Sequence, residues 1–184
     1  MVSTDDREIA EIAQKFGAKV PFFTSAATSH DLAMTADVIY EVLEEYRKRG
    51  QEFDFACCIY PTAPFIVPAK LHEGYRRLQA TGADAALPVV RFSYPIQRAL
   101  QIEQGKLTMI WPENLNTRSQ DLMPAYHDAG QFYWLRVRSF LEQKVLFAQY
   151  TIALEIPESE AQDIDTEEDW KIAELKYRIL KQGV

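Results

Sequence analysis

Apolar positions recur at two different spacings along the chain, one typical of helices and one typical of buried strands. The first helical stripe follows Asp5-x-x-Glu8, which resembles a capping box, and it ends at Gly17. We expect the stripe to face the core, and its members are Ile9, Ile12, Ala13 and Phe16. Thr35 is a candidate cap for a second helix that ends at Gly50. The apolar positions of that helix are Val38, Ile39, Val42 and Leu43.

Nearly continuous apolar runs further along predict strands that are covered on both faces. Residues 53–60 form the clearest run, and because parallel strands are usually buried on both faces, we expect a central parallel strand there. Pro68 suits the first turn of a helix that reaches about Gln79. Further strands are predicted at residues 85–90, 131–135 and 151–156. A last helix is predicted over residues 166–181, with Trp170, Ala173, Leu175, Ile179 and Leu180 as candidate core residues.

The stretch from residue 92 to residue 112 breaks this alternation. Two apolar segments, 96–102 and 107–111, flank Glu103-Gln104-Gly105-Lys106, which predicts an antiparallel hairpin. Tyr94-Pro95-Ile96-Gln97-Arg98 leads into this hairpin, and we interpret it as an edge strand at the core or at an interface. Residues 111–130 then form a long polar connection, and loops of this length are often functional.

The order of elements predicts an α/β fold with a largely parallel sheet. We expect a single domain over residues 1–184, with the hairpin as an insertion at 92–112. Only Met1-Val2-Ser3 precede the first helix signal, which is too short for the strand that should feed this helix. We therefore expect a first strand–loop–helix segment to be missing from the chain.

Composition and charge narrow the classes of function. The chain has 184 residues, 47% hydrophobic and 26% charged, which is typical of a globular domain with a substantial core. Its formal net charge of −7 argues against broad binding of nucleic-acid polymers, which needs a basic face, but it leaves room for a nucleotide. No apolar run approaches the ~20 residues of a membrane span, and the start has no secretory signal. Cys57 and Cys58 are adjacent, so we predict reduced thiols in a cytoplasmic protein.

Two carboxylates near the carboxyl end are the sharpest chemical feature of the sequence. Asp163 and Asp165 are two residues apart, so in an extended segment their side chains lie on the same side. Such a pair repels itself unless a cation lies between the two groups, and Mg²⁺ commonly takes one or two carboxylates together with substrate phosphates. The alternative is a helix cap, because Asp165-x-x-Glu168 and Thr166-x-x-Asp169 both fit N-terminal capping patterns. The two roles are compatible.

Two loops carry candidate substrate contacts. Pro61-Thr62-Ala63-Pro64 follows the end of the predicted central strand, where ligands bind in open α/β sheets, although a plain proline-stiffened turn also explains it. In the polar connection, the planar guanidinium of Arg118 suits a carboxylate or a phosphate. Gln120, His127 and Gln131 suit the hydroxyls of a sugar. A solvated loop with surface ion pairs is the alternative for this connection.

Six segments of the chain carry a resemblance to a known family through their order: Val2–Ala10, Cys57–Phe65, Tyr94–Ala99, Arg118–Leu122, Asp128–Trp134 and Asp163–Asp169. Their order resembles the acylneuraminate cytidylyltransferases, the CMP-sialic acid synthetase family. The resemblance is closest to the pseudaminic acid cytidylyltransferases, because Tyr60 and Ile66 beside the substrate loop fit that branch. It extends over essentially the whole chain.

This resemblance implies a three-layer, Rossmann-like nucleotidyltransferase fold and a reaction. The anomeric hydroxyl of a nine-carbon acid sugar, of pseudaminic or sialic acid type, attacks the α-phosphate of CTP and pyrophosphate leaves. Asp163 and Asp165 are implied as the catalytic residues that hold Mg²⁺. The implied sugar site consists of Thr62, Ala63, Arg118, Gln120, Gly130, Gln131 and Tyr133. The resemblance also implies a homodimer that exchanges the hairpin region near residues 95–111.

The chain departs from the family pattern at its start. The family opens with a strand and a loop of glycine and lysine that cradles the CTP phosphates, a segment of roughly 45–50 residues that we expect to be absent here. Three hypotheses follow. The first is a cytidylyltransferase with weak CTP binding, and the second is a catalytically inactive, dimeric module that binds sugar or nucleotide. The third is another sugar nucleotidyltransferase, such as an octulosonate-specific one.

Overall fold

The computed structural model describes residues 1–30 and 32–182. Within these residues the helices are α1 (Arg7–Lys15), α2 (Thr35–Lys48), α3 (Pro68–Thr81), α4 (Val137–Gln143) and α5 (Glu167–Gln182). The strands are β1 (Phe55–Ile59), β2 (Ala85–Arg91), β3 (Leu100–Glu103), β4 (Lys106–Met109), β5 (Tyr126–Asp128), β6 (Phe132–Arg136) and β7 (Thr151–Glu155). The prediction of an α/β protein is confirmed. In the described part of the chain, no helix is both long and apolar enough to cross a lipid bilayer.

Five strands form one sheet, in the order β1-β6-β2-β5, and β7 also pairs with β2. β1 and β6 run antiparallel, because Tyr60 N donates to Gln131 O at one end while Val137 N donates to Asp54 O at the other. β2 and β5 are also antiparallel. The prediction of a largely parallel sheet is therefore not confirmed. A continuous apolar run reports burial on both faces, and burial does not encode the direction of the neighbouring strand.

The parallel component of the sheet lies between β2 and β7. Asp84 N donates to Tyr150 O over 2.8 Å, and Ile156 N donates to Val89 O over 2.9 Å, so both strands advance in the same direction. The strand β5 and the helix α4 were not predicted from the sequence. β5 has three residues inside a polar segment, and α4 follows β6 without a turn residue, so neither presents a clear periodic pattern.

The predicted hairpin is confirmed, as β3 and β4 pair antiparallel. Gln104 and Gly105 both have positive φ angles, 49° and 78°, which is the backbone of a tight two-residue hairpin turn. The pairs Leu100–Met109 and Ile102–Leu107 lie directly opposite and place apolar side chains on one face of the hairpin. The interpretation of residues 94–98 as an edge strand was wrong, because Ile96–Arg98 is a 3₁₀ turn.

The chain folds into two compact units. The first consists of Met1–Cys58, Gly82–Ala85 and Trp134–Thr151. Its core contains Ile39, Leu43, Ala85, Leu135, Val137 and Phe140, which confirms two of the four predicted apolar positions of α2, Ile39 and Leu43. Rings of Phe22, Tyr46 and Phe53 pack edge to face beside this helix.

The apolar stripe of α1 does not face the core. Asp6, one residue later than predicted, caps this helix by accepting a hydrogen bond from Ile9 N over 3.0 Å. Ile9, Ile12 and Phe16 are exposed, Phe16 by 88%, whereas the small Ala10 is buried. The helical spacing correctly predicts an amphipathic helix, but it does not determine which neighbouring layer covers the apolar face.

The second unit consists of residues 59–81, 86–133 and the described part of 152–184. Val90, Ala129, Ile156 and Ala161 form a buried cluster in it. In α5 only Ala173 of the five predicted core residues is buried, and Trp170, Leu175, Ile179 and Leu180 are exposed. The burial of Ala129 is the feature that matters for chemistry, because it fixes the chain immediately before Gly130.

Candidate active site

The second unit holds a cluster of carboxylates around the backbone of Gly130. This glycine is buried and has a φ of +63°, a conformation that residues with a Cβ rarely adopt. A Cβ built on it would lie 3.3 Å from Asp163 Oδ1. The glycine therefore serves two purposes: it makes the left-handed turn after Ala129, and it allows the backbone to approach the Asp163 carboxylate closely.

Asp128 connects this turn to a buried tyrosine. Its Oδ1 accepts a hydrogen bond from Gly130 N over 3.0 Å, and its Oδ2 accepts one from the Tyr133 hydroxyl over 2.5 Å. The ring of Tyr60 lies 5.1 Å from that of Tyr133, centroid to centroid. Burial and the hydrogen bond to Asp128 raise the pKa of Tyr133 above its ordinary value, so this phenol stays protonated.

The electrostatics of the cluster centre on Asp163. Partial burial, followed by the negative charge of Asp165, raises the pKa of the Asp163 carboxyl above its ordinary value. The charges of Asp128 and Asp169 act in the same direction, and a hydrogen bond from the Ile164 amide opposes them. A carboxylate in this position is poorly compensated by the protein, and a cation would relieve the repulsion.

The helix cap predicted beside these carboxylates is present, and it leaves both of them out. Thr166 N donates to Asp169 Oδ2 over 2.9 Å, and Asp169 N donates to Thr166 Oγ1 over 3.2 Å. This reciprocal pair is a capping box with aspartate in place of the usual glutamate. Thr166 and Asp169 form the cap with their own side chains. The carboxylates of Asp163 and Asp165 are therefore not needed as capping groups.

The structure brings some of the other predicted sugar-site residues into this cluster. Gln131 is only 4% exposed, and its side-chain Nε2 donates to Glu160 O over 2.6 Å. Its backbone carbonyl accepts a hydrogen bond from Tyr60 N. Tyr133 is 2% exposed. Both side chains are therefore enclosed by protein. Tyr133 holds Asp128 and Gln131 holds the backbone of Glu160 through their hydrogen bonds.

The remaining predicted residues, Thr62, Ala63, Arg118 and Gln120, also belong to the second unit. Thr62 and Gln120 are exposed and Ala63 is half-buried. Arg118 forms an exposed ion pair with Asp121, at 2.8 Å from Nε to Oδ2, which is the alternative that the sequence left open for this loop. Within the described part of the chain, no hydrogen bond joins these four residues to Asp163.

Two residues of this unit were missed as functional candidates. Asp128 lies in the quoted Asp128–Trp134 segment, but only the unpredicted strand β5 shows that its side chain turns toward Tyr133. Gln97 donates from Nε2 to Met123 O over 2.9 Å, whereas its buried Oε1 accepts no hydrogen bond from the described residues. A buried acceptor without a donor is costly unless water or a ligand supplies one. Nothing in the sequence distinguishes this glutamine from a structural one.

The carboxylate oxygens of the cluster are hard donors of the type that Mg²⁺ prefers. Across residues 1–30 and 32–182, no three His, Cys, Asp or Glu side chains form a complete metal site. Asp163 and Asp165 supply hard oxygen atoms, and their mutual repulsion favours a cation. Mg²⁺ demands octahedral oxygen coordination and usually keeps waters and substrate phosphates in addition to one or two carboxylates.

Comparison with known proteins decides the family. A family profile described as cytidylyltransferase matches residues 1–179, nearly the whole chain. The chain belongs to this cytidylyltransferase family. It is accordingly a nucleotidyltransferase, and the resemblance inferred from the six segments is confirmed at the level of the family.

Several curated proteins are similar over most of the cytidylyltransferase chain. The pseudaminic acid cytidylyltransferase of Campylobacter jejuni is 34% identical over 180 residues, which cover 97% of this chain and 78% of that protein. N-acylneuraminate cytidylyltransferase A of Danio rerio is 32% identical over 99% of this chain and 41% of its own length. The CMP-N,N'-diacetyllegionaminic acid synthase of Legionella pneumophila is 30% identical and covers 100% of this chain and 80% of its own length.

A solved structure shares the fold of this cytidylyltransferase. It is that of CMP:2-keto-3-deoxy-manno-octonic acid synthetase complexed with CTP, with a TM-score of 0.61 and 14% identity. The match covers 98% of this chain and 80% of that one. At this identity the similarity supports the nucleotidyltransferase fold and not a substrate.

Proposed function

We propose that this cytidylyltransferase transfers CMP from CTP to the anomeric hydroxyl of a nine-carbon sugar acid of the pseudaminic type. The new bond joins the anomeric oxygen to the α-phosphorus, and the bond from that phosphorus to the leaving pyrophosphate breaks. The observation that carries the proposal is 34% identity over 97% of the chain to a pseudaminic acid cytidylyltransferase. Similarity to relatives named for sialic and legionaminic acids supports the same class of sugar acid.

In this proposal Asp163 and Asp165 are the catalytic carboxylates. They would hold Mg²⁺ and, when bound, the ion would neutralise the charge that builds on the α-phosphate as pyrophosphate leaves. The raised pKa of Asp163 supports this role, because it reflects a carboxylate that is partly buried and, in addition, close to other negative groups. Gly130 contributes by allowing its backbone to lie close to Asp163.

The sugar acid would bind beside these carboxylates. The proposed sugar site is lined by Thr62, Ala63, Arg118, Gln120, Gly130, Gln131 and Tyr133. Arg118 is the cation of this set, and its bond to the exposed Asp121 can be exchanged for a bond to the sugar carboxylate. The buried Gln131 and Tyr133 act on the sugar through the walls that they hold in place.

We also propose that the protein is a homodimer in which the hairpin β3–β4 contacts a second copy. Ile102 and Leu107 face each other on the apolar side of the hairpin and are 73% and 63% exposed. Leu100 lies on the same face and is also exposed. Contiguous exposed apolar patches of this kind mark interaction sites.

Release of pyrophosphate tests the catalytic proposal. The chain is incubated with CTP, Mg²⁺ and one of three acids: pseudaminic acid, N-acetylneuraminic acid or 3-deoxy-manno-octulosonic acid. We expect the fastest release with pseudaminic acid. A higher rate with the octulosonic acid would contradict the substrate assignment, and no release with any acid would contradict the catalytic proposal.

The second hypothesis, an inactive binding module, is separated from the first by calorimetry. An enzyme of the proposed kind binds both CTP and the sugar acid. Heat from the sugar acid without heat from CTP, together with no pyrophosphate release, would favour the binding module. The hairpin dimer is compatible with both hypotheses and is tested separately.

A further inference from the structure

Asp128 uses both of its carboxylate oxygens inside the site. Oδ1 accepts from Gly130 N over 3.0 Å and Oδ2 accepts from the Tyr133 hydroxyl over 2.5 Å. Its backbone is fixed as well, because β5 pairs with β2 and Ala129 N donates to Pro88 O over 3.2 Å. A carboxylate that is held on both oxygens and anchored in a sheet has little freedom to move.

The two partners of Asp128 lead in different directions. Gly130 leads to Asp163, because a Cβ built on this glycine would lie only 3.3 Å from Asp163 Oδ1. Tyr133 leads to Tyr60, whose ring packs against it with 5.1 Å between the ring centroids. The Tyr133 hydroxyl has one proton, which it donates to Asp128 Oδ2. Asp128 thus fixes the orientation of the Tyr133 hydroxyl.

We propose that Asp128 is a positioning residue: through Gly130 and Tyr133 it holds the wall against which the Asp163 carboxylate takes the orientation that binds the cation. This role rests on the proposed function of Asp163. In this proposal Asp128 does not itself contact the substrate or the ion, because both of its carboxylate oxygens accept hydrogen bonds within the protein. Groups that orient a metal ligand from behind commonly change metal affinity or activity by about 10–100-fold when they are removed.

A purely electrostatic role for Asp128 makes a different prediction. Asp128 is one of the charges that act on Asp163, so removing its charge alone would weaken cation binding. The variant Asp128→Asn separates the two roles. Asparagine keeps an Oδ1 acceptor for Gly130 N and can donate from Nδ2 to the Tyr133 oxygen, so it restores the geometry without the charge. The variant Asp128→Ala removes both.

The experiment measures Mn²⁺ binding by electron paramagnetic resonance, with Mn²⁺ alone as the probe, and the Mg²⁺ concentration that gives half-maximal pyrophosphate release. We expect Asp128→Ala to weaken Mn²⁺ binding about 10–100-fold, whereas Asp128→Asn stays within about 3-fold of the parent. Glu155→Ala is the matched control, because it removes a Tyr126–carboxylate hydrogen bond of the same kind on the outer surface. We expect it to bind Mn²⁺ as the parent does.

Each outcome supports or overturns the positioning role. Equal weakening in Asp128→Asn and Asp128→Ala would overturn it in favour of charge alone, and parent-like binding in both would overturn it outright. Absence of Mn²⁺ binding in the parent would also overturn it, while pyrophosphate release in the same sample would show whether the proposed function survives.

If Asp128→Ala fails to fold, Tyr133→Phe keeps the hydrogen bond from Gly130 N to Asp128 and loses the one from the Tyr133 hydroxyl. That variant is then expected to weaken Mn²⁺ binding by at least about 3-fold, and parent-like binding would overturn the role.

Discussion

The backbone of Gly130 packs against the carboxylate of Asp163, so that a Cβ built on this glycine would lie 3.3 Å from Asp163 Oδ1. An alanine at residue 130 would have to adopt a φ of +63°, which costs an L-residue about 1–2 kcal/mol, and would also press on the carboxylate. We expect Gly130→Ala to lower the free energy of unfolding by at least that amount and to slow pyrophosphate release. Denaturant unfolding and the release assay measure the two effects.

Gly105→Ala is the control for this substitution. Gly105 also has a positive φ, 78°, but a Cβ there would meet nothing within 4 Å. It should carry the backbone cost alone and leave pyrophosphate release unchanged. If both variants lose the same stability and both keep full activity, the contact with Asp163 has no functional consequence.

The cap of α5 is separable from the proposed cation site. Thr166→Ala removes the hydroxyl that accepts from Asp169 N and should lower the free energy of unfolding by about 1 kcal/mol. Thr166→Ser keeps the hydroxyl acceptor, so its free energy of unfolding should be close to that of the parent. Because Asp163 and Asp165 do not form the cap, neither variant should change Mn²⁺ affinity. A parallel loss of Mn²⁺ binding in Thr166→Ala would show that cap and site are one unit.

The titrations of Asp163 and Asp169 should have opposite effects on the free energy of unfolding. Partial burial and the charge of Asp165 raise the pKa of Asp163, so its contribution is favourable below its ordinary pKa and is lost as pH rises through the raised value. Hydrogen bonds, first from the Thr166 hydroxyl, lower the pKa of Asp169, so its contribution is present above its ordinary pKa and is lost as pH falls through the lowered value.

The measurement is the free energy of unfolding against pH for the parent, Asp163→Asn and Asp169→Asn, in chelator. Asp163→Asn should gain stability relative to the parent as pH rises through the acidic range. Asp169→Asn should lose stability relative to the parent over the same change. Curves of the same sign for both variants would contradict the assigned environments.

The hairpin surface gives a prediction about assembly. Ile102→Asp places a charge in the apolar face of β3–β4 and should convert the proposed dimer into a monomer in sedimentation velocity. Thr108→Asp, on the opposite face, is the control and should leave the dimer intact. A parent chain that sediments as a monomer at micromolar concentration would contradict the proposed dimer.

The sequence predicted elements with strong periodicity and missed those without it. The apolar runs at β1, β2, β6 and β7 and the spacing in α2 and α3 located these elements within a few residues. The direction of β6 was not predictable, because it depends on long-range pairing rather than on the pattern of burial. The exposure of Phe16 was not predictable for a similar reason, since periodicity does not reveal which layer covers a helix.

In the candidate site, too, some features were predictable from the sequence and others were not. The spacing of Asp163 and Asp165 predicted a pair of carboxylates on one side of the segment, and the charge of Asp165 is, after burial, one cause of the raised pKa of Asp163. The place of Asp128 beside Tyr133 could not be read from the sequence, because it depends on a three-residue strand and on a turn at Gly130. Local spacing predicts chemistry along a segment, whereas the surroundings of that segment are determined by tertiary structure.

The most direct test of the catalytic proposal compares pyrophosphate release from CTP and pseudaminic acid by the parent, Asp163→Asn, Asp165→Asn and Asp169→Asn at saturating Mg²⁺. The first two variants lose a carboxylate of the proposed cation site, whereas the third replaces the capping carboxylate of α5, which accepts from the backbone amides of Thr166 and Asp165, by an amide that keeps an acceptor oxygen. We predict that release falls at least about 100-fold in the first two and less than about 3-fold in Asp169→Asn. Equal rates in all four proteins would contradict the catalytic role of Asp163 and Asp165.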